Sequence, residues 1–249
     1  MRKIKIILEY DGRGYCGWQI QPNGISIQET VENAIKKIVK EKTSVIVSGR
    51  TDAGVHAEAQ VAHFKTKSKM TTFQFLKAMN SVLPNDIVIK NVCEVPPSFH
   101  ARRSSIKKVY RYSILNREFP SALNFRRVWY ISTPLNVEAM QIASKTLEGK
   151  HDFSSFRASG CGSKSPIKHI FKIRFDAKKS LLDIFFEGSG FLKYMIRNII
   201  GTFILIGKNQ ISPKELKKIL DAKNRNLAGP TAPPQGLCLI SVNYPENFH

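Results

Sequence analysis

The sequence predicts an α+β protein of two pseudo-twofold-related lobes, each a mainly antiparallel sheet with helices on one face, and an active-site cleft between them. Three observations lead there. Segments of alternating or β-branched character are interleaved with segments of helical period. The order strand, helix, strands, helix recurs in the second half. Pro96-Pro97, stiff and unable to extend a ladder, punctuates the chain between the halves. The division is set at residues 1–104 and 105–249. With 42% apolar residues in 249, each half can bury a core of its own.

The first half opens with a strand over residues 3–10. Residues 11–17, D-G-R-G-Y-C-G, contain G-x-G-x-x-G directly after that strand. The dinucleotide fingerprint then needs a helix opening onto the phosphates, but the chain continues W-Q-I-Q-P-N-G, a turn, so a Rossmann fold is excluded. Ser26 and Glu29 make a capping box, after which Ile27, Val31, Ile35, Ile38 and Val39 recur at helical spacing. Val45-Ile46-Val47 and residues 60–64 read as strands around a polar loop. A second amphipathic helix over 72–82 turns Phe73, Leu76 and Met79 inward, and a strand follows over 87–95.

In the second half, residues 128–132 form a strand and 137–147 a helix, with Asn136 as cap and Gly149 as stop. Residues 149–156 are expected as a loop anchored by Phe153 and Phe156, a plainer reading than acid–base chemistry by His151 and Asp152. A Gly/Ser-rich loop over 159–166 precedes strands at 167–177 and 181–187. Residues 191–206 read as one helix, and Ser212-Pro213 starts a short helix ending near Ala222. A rigid loop over 229–236 leads into a closing strand over 237–242.

Lysine and arginine number 39 against 19 acidic residues, a net charge of +20, which points to a polyanion: nucleic acid or an anionic membrane surface. The apolar run before Glu9 is too short for a signal peptide, and the most apolar region, 190–207, is interrupted by Lys193, Arg197 and Asn198. Cys16, Cys93, Cys161 and Cys238 form no C-x-x-C pair, which argues against zinc and against a disulfide framework. A cytoplasmic protein with no membrane segment is expected.

The chemistry concentrates in residues 48–57, S-G-R-T-D-A-G-V-H-A. Gly49 and Gly54 allow the backbone a close approach to a ligand. Arg50 beside Asp52 favours an ionised carboxylate, suited to act as nucleophile or electrostatic stabiliser. The plainer alternative is a tight hairpin loop whose Asp caps its own backbone. A second stretch, residues 99–112, F-H-A-R-R-S-S-I-K-K-V-Y-R-Y, sets Arg102, Arg103, Lys107, Lys108 and Arg111 among Phe99, Tyr110 and Tyr112. Cations that hold phosphates, mixed with rings that stack on unpaired bases, suit RNA with a displaced nucleotide; the plainer alternative is a solvated linker followed by a strand with an aromatic inward face. Arg197, within an apolar helix, needs a partner: Asp52 is the one we name, and helix-end carbonyls are the plainer alternative.

Several of these strings together resemble the tRNA pseudouridine synthases of the bacterial A type. The G-R-T-D-A-G-V-H loop, the opening Y-D-G-x-x-Y-x-G-W-Q, F-H-A-R, K-x-Y-R-Y, G-x-H-D-F-x-x-F and G-F-L-x-x-M-V-R-N all match in order, with Ile196 in place of the last motif's Val. The resemblance implies that Asp52 is the essential catalytic residue and that Arg197 pairs with it. It also implies that Tyr110 contacts the substrate and that Leu237 packs on the target base. The implied reaction isomerises uridine to pseudouridine at positions 38, 39 and 40 of the anticodon stem-loop, by a homodimer binding tRNA across both subunits. Such an isomerisation needs no cofactor and no metal. Arg50, adjacent to Asp52, is expected to hold the flipped uridine. Two rival classes stand beside it: a non-catalytic RNA-binding protein, and a hydrolase with Asp52, His56 and His63 as metal ligands.

Overall fold

The structure, a computed structural model, describes residues 1–248. It is a mixed α/β protein whose strands pair mostly antiparallel. The chain divides into two compact units, one of residues 1–108 with 238 onward and one of Val109–Leu237. The closing strand thus returns to the first unit, where a division at 104/105 would have assigned it to the second.

The first unit is built on β1 (Arg2–Tyr10), whose Ile4, Ile6 and Leu8 are wholly buried. It pairs antiparallel with β3 (His56–Thr66), Ile4 opposite Phe64, and on its other edge with β4 (Ile87–Val95), Ile6 opposite Val92. The two-residue β2 (Ile46–Val47) folds back on β3, and β10 (Leu237–Asn243) joins β3 in parallel, Cys238 opposite His56. The chain after β10 stays in place because Tyr244 donates its hydroxyl to the Ala101 carbonyl at 2.7 Å and packs on Phe99, ring centroids 5.1 Å apart.

Helix α1 (Ile27–Val39) is capped by Ser26, whose hydroxyl accepts from the Glu29 backbone at 3.2 Å. Helix α2 (Thr72–Val82) has a reciprocal capping box between Thr71 and Gln74. Its inward face differs from the expected one. Phe75 and Met79 are buried, Phe75 edge-on to Phe64 of β3 at 5.8 Å, whereas Phe73 is 61% exposed under the Lys77 ammonium. Two residues along a helix turn the side chain about 200°, so Phe73 and Phe75 cannot share a face.

In the second unit the order is β5 (Lys107–Asn116), β9 (Leu181–Gly188), β8 (Ile167–Lys178), β7 (Gly149–Asp152), with β6 (Trp129–Ile131) parallel to β5. The first two residues of β5 fall in the first unit. Helix α3 (Val137–Ser144) is capped by Asn136 and runs on as one 3-10 turn. Residues 149–152, expected as loop, form a strand, His151 opposite Lys168. Gly149, at φ +104°, turns the chain out of the helix straight into the ladder. The two phenylalanines beyond it are wholly buried as expected.

Helix α4 (Met195–Gly207) is shorter than the 191–206 span. Tyr194 takes a left-handed conformation, φ +62°, so the right-handed spiral begins only after it. Within α4, Ile199, Ile200 and Phe203 are wholly buried, and Phe203 stacks on Phe186 of β9 at 6.4 Å. Helix α5 (Glu215–Ala222) starts three residues after Ser212, whose carbonyl accepts from the Glu215 N–H at 3.1 Å. Among the described residues no helix is long and apolar enough to cross a membrane.

Candidate active site

Asp52 lies half-buried in the loop between β2 and β3, with Arg50 exposed two residues before it. The loop closes on itself where the Val55 N–H donates to the Asp52 carbonyl at 3.2 Å, and Gly54 takes φ +77° in the turn. Behind it sits the glycine-rich segment that mimics a dinucleotide fingerprint. The Trp18 N–H donates to the Thr51 carbonyl at 3.0 Å. A Cβ at Gly12 would lie 2.0 Å from the Val55 carbonyl oxygen, and one at Gly17 2.8 Å from that of Thr51. These glycines are present because backbone meets backbone there.

His56, at the start of β3, places Nδ1 3.3 Å from both the Gly12 N–H and an Asp11 carboxylate oxygen. The Arg13 guanidinium, hydrogen-bonded to Asp11, is the main cause holding that carboxyl down to about 2. The segment that backs the Asp52 loop is therefore itself pinned by a charged pair.

In the second unit, Arg197 stands in the first turn of α4. Its Nε donates to the Ala232 carbonyl at 2.7 Å, the Ala232 N–H donates back to the Arg197 carbonyl at 3.1 Å, and its guanidinium lies 4.7 Å over the Tyr194 ring. The left-handed Tyr194 is thus what brings that ring under the arginine. The loop over 229–236 is gripped further along. Gly201 of α4 leaves no room for a side chain against Pro230, and the Thr231 hydroxyl donates to Asn198 at 2.7 Å. Tyr112 donates to the Pro233 carbonyl at 2.8 Å, and a Cβ on Gly236 would strike its ring at 2.7 Å. Leu237 follows directly, 5% exposed. Tyr110, 7% exposed, meets Phe191 edge-on at 5.3 Å.

A family profile described as tRNA pseudouridine synthase matches residues 6–102 and 143–245. The chain belongs to the tRNA pseudouridine synthase family. It is 44% identical over 247 residues to tRNA pseudouridine synthase A of Citrifermentans bemidjiense, covering 99% of each chain. To the protein of that name from Thermoanaerobacter sp. it is 45% identical over 244 residues, covering 98% of this chain and all of that one. To that of Ehrlichia chaffeensis it is 44% identical, covering 97% of this chain and all of that one. Members of this family isomerise uridine to pseudouridine in tRNA, and the chain is an isomerase of that kind.

For a synthase, the basic stretch over 99–112 is placed differently from its expected use. Arg102 and Arg103 are exposed, and Lys107 and Arg111 are half-buried. Lys108 is only 7% exposed, its ammonium donating to Ser105 at 2.9 Å and its stem 3.4 Å from where a Gly49 Cβ would be. Lys108 is thus a buried neighbour of the Asp52 loop. Phe99 and Tyr112 are wholly buried and offer no face to a base, because β-strand alternation turns Tyr112 inward and Phe99 sits among His63, Tyr244 and Phe248.

His63, named in the metal reading, accepts from the Ala101 N–H at 3.2 Å. Burial, with His100 and two lysines nearby, lowers it to about 4, so it is a neutral core residue near neutral pH. Among the described residues no three His, Cys, Asp or Glu side chains are grouped to hold a metal. His151 and Asp152 are engaged locally, His151 Nε2 with the Glu148 carbonyl at 2.8 Å and Asp152 with the Ser154 N–H at 2.9 Å.

Sequence reasoning passed over Tyr10, Ser48 and Gln60 around the loop, and Asn198 and Tyr194 in the second unit. A signal existed for Gln60, a polar residue on the strand face it shares with Ala62 and Phe64. For Tyr194 there was none, because a left-handed non-glycine residue is imposed by its surroundings.

Proposed function

We propose that Asp52 is the essential carboxylate of a tRNA uridine isomerisation acting in the anticodon stem-loop at positions 38, 39 and 40. The observation that carries this reading is the Asp52 loop itself: a half-buried carboxylate in a glycine-flanked turn, backed by backbone on the Trp18 side, in a chain of this family. In the reaction the N1–C1′ bond of uridine breaks, C5 bonds to C1′, the C5 hydrogen leaves as a proton and N1 takes one up. Positive charge builds on the sugar as the glycosidic bond opens, and a preorganised carboxylate stabilises or traps it.

The uridine leaves its stack first. Arg50, exposed beside Asp52, holds the flipped state with its planar guanidinium. Tyr110 stacks on the uracil, Leu237 packs against it, and Arg197 is the cation that keeps Asp52 ionised and oriented. In this reading the two units are pseudo-twofold lobes that serve one uridine in a cleft. Arg102, Arg103, Lys107 and Arg111 hold phosphates, which fits a charge of +20, whereas Lys108, buried against Gly49, is left to the loop. The working species is a homodimer in the cytoplasm.

The test is release of tritium from tRNA transcripts labelled at uracil C5, since isomerisation must expel that hydrogen and neither binding nor strand cleavage does. Wild type should release it, and Asp52→Ala should release none while still binding tRNA. Release by a folded Asp52→Ala protein would sink the assignment.

A further inference from the structure

We propose that Gln60 and Tyr10 form a buried hydrogen-bond clamp that positions the Asp52 loop for the reaction, a role that rests on Asp52 being the reacting carboxylate. Gln60 is wholly buried and Tyr10 is 4% exposed. All four hydrogen-bonding positions of the Gln60 amide are filled. Its Nε2 donates to the Gly49 carbonyl at 2.9 Å and to the Tyr10 hydroxyl at 3.3 Å. Its Oε1 accepts from the Ser48 hydroxyl at 2.7 Å and from the Val61 N–H at 3.2 Å.

The orientation of this amide is unambiguous. A carbonyl only accepts and a backbone N–H only donates, so a flipped amide would be mispaired at both Gly49 and Val61. Tyr10, accepting from Gln60, shares a second hydrogen bond with the Thr51 hydroxyl at 2.8 Å. Burial pushes the Tyr10 phenol well above its usual value, so it keeps its proton at working pH.

The clamp therefore reaches Ser48 and Gly49 on one flank of Arg50 and Thr51 on the other, the residue immediately before Asp52. An apolar side chain could fill the position of Gln60 beside Ala62 and Phe64 without desolvating an amide. What the amide adds is direction, because its bonds to the Gly49 carbonyl and the Ser48 hydroxyl fix two atoms of the loop while those to Tyr10 and the Val61 N–H tie it to the sheet. Gln60 and Tyr10 touch the loop and not the substrate, so they are positioning residues.

The experiment compares wild type, Gln60→Glu and Tyr10→Phe for single-turnover tritium release, tRNA Kd and thermal unfolding. Gln60→Glu loses both donors and sets a carboxylate against the Gly49 carbonyl, so the rate should fall roughly 100-fold with tRNA Kd within about threefold of wild type. Tyr10→Phe removes one oxygen and should slow release about 10-fold, again at unchanged Kd. Lowering the pH should raise the rate of Gln60→Glu relative to wild type, because a protonated carboxyl regains one donor. The proposal is overturned if both folded variants turn over within about twofold of wild type, or if each loss of rate is matched by an equal loss of tRNA affinity. Should Gln60→Glu not fold, Tyr10→Phe decides alone, as it adds no charge and no volume. Absence of release by wild type from any tRNA would refute the reading of Asp52, and the clamp with it.

Discussion

The Trp18 backbone N–H and the Thr51 carbonyl meet at 3.0 Å, and this one bond joins the glycine-rich opening of the chain to the residue next to Asp52. It shows where a string with the spacing of a nucleotide cradle is used in this fold. Gly12 and Gly17 face a protein loop, and their small size is used up by that contact.

The three glycines of that string should respond differently to alanine. At Gly12 the new methyl meets the Val55 carbonyl at 2.0 Å, and at Gly17 it meets Thr51 at 2.8 Å on a residue held at φ +101°. Each substitution should cost about 2–3 kcal/mol in chemical denaturation and lower the rate of tritium release. At Gly14 the nearest atom is 3.9 Å away, and alanine there should change stability by no more than about 0.5 kcal/mol.

The inward face of α2 gives a second contrast. Phe75→Ala removes a wholly buried ring that packs on Phe64 of β3 and should cost about 3–5 kcal/mol. Phe73→Ala, on the exposed face, should stay within about 0.5 kcal/mol. Urea unfolding of both variants checks this, and equal losses would contradict the placement of the helix.

Stability should decline as pH falls from 6.5 to about 4, through His63. Burial holds this imidazole neutral in the folded chain until about pH 4, whereas its ordinary value is 6.5. Between those values the unfolded chain takes up a proton that the folded chain refuses, so acid favours unfolding there, and the effect levels off below the lower value. Denaturation midpoints of wild type should therefore drop across this window, and those of His63→Gln should drop less. His63 seen by NMR to titrate near 6.5 in the folded protein would remove the basis for the expectation.

Arg197 uses Nε to hold the Ala232 carbonyl, a bond no lysine can make while also extending a terminal amine. Arg197→Lys should keep the positive charge yet lose roughly 10-fold or more in tritium release. Full activity in a folded Arg197→Lys protein would show that charge alone suffices at this position.

Much was legible in the chain because it is local. The helix caps at Ser26 and Asn136, the strand over residues 3–10, and the glycine-framed Asp52 loop depend on neighbours a few residues apart, and the structure places them as read. The family was legible for a related reason: its motifs are contiguous strings that survive as written.

Only the tertiary structure decided which polar and aromatic groups were already spent on the fold. Phe99 and Tyr112 carry the same composition signal as base-stacking rings, but long-range packing buries both. Lys108 counts as one more cation in a basic run until it is found beneath Gly49. The closing strand joins the first unit because Cys238 pairs opposite His56, 182 positions earlier in sequence, and periodicity carries no information about such a partner. Sequence pattern determines what each segment can form, whereas burial and hydrogen-bond pairing between distant segments determine what each side chain is left to do.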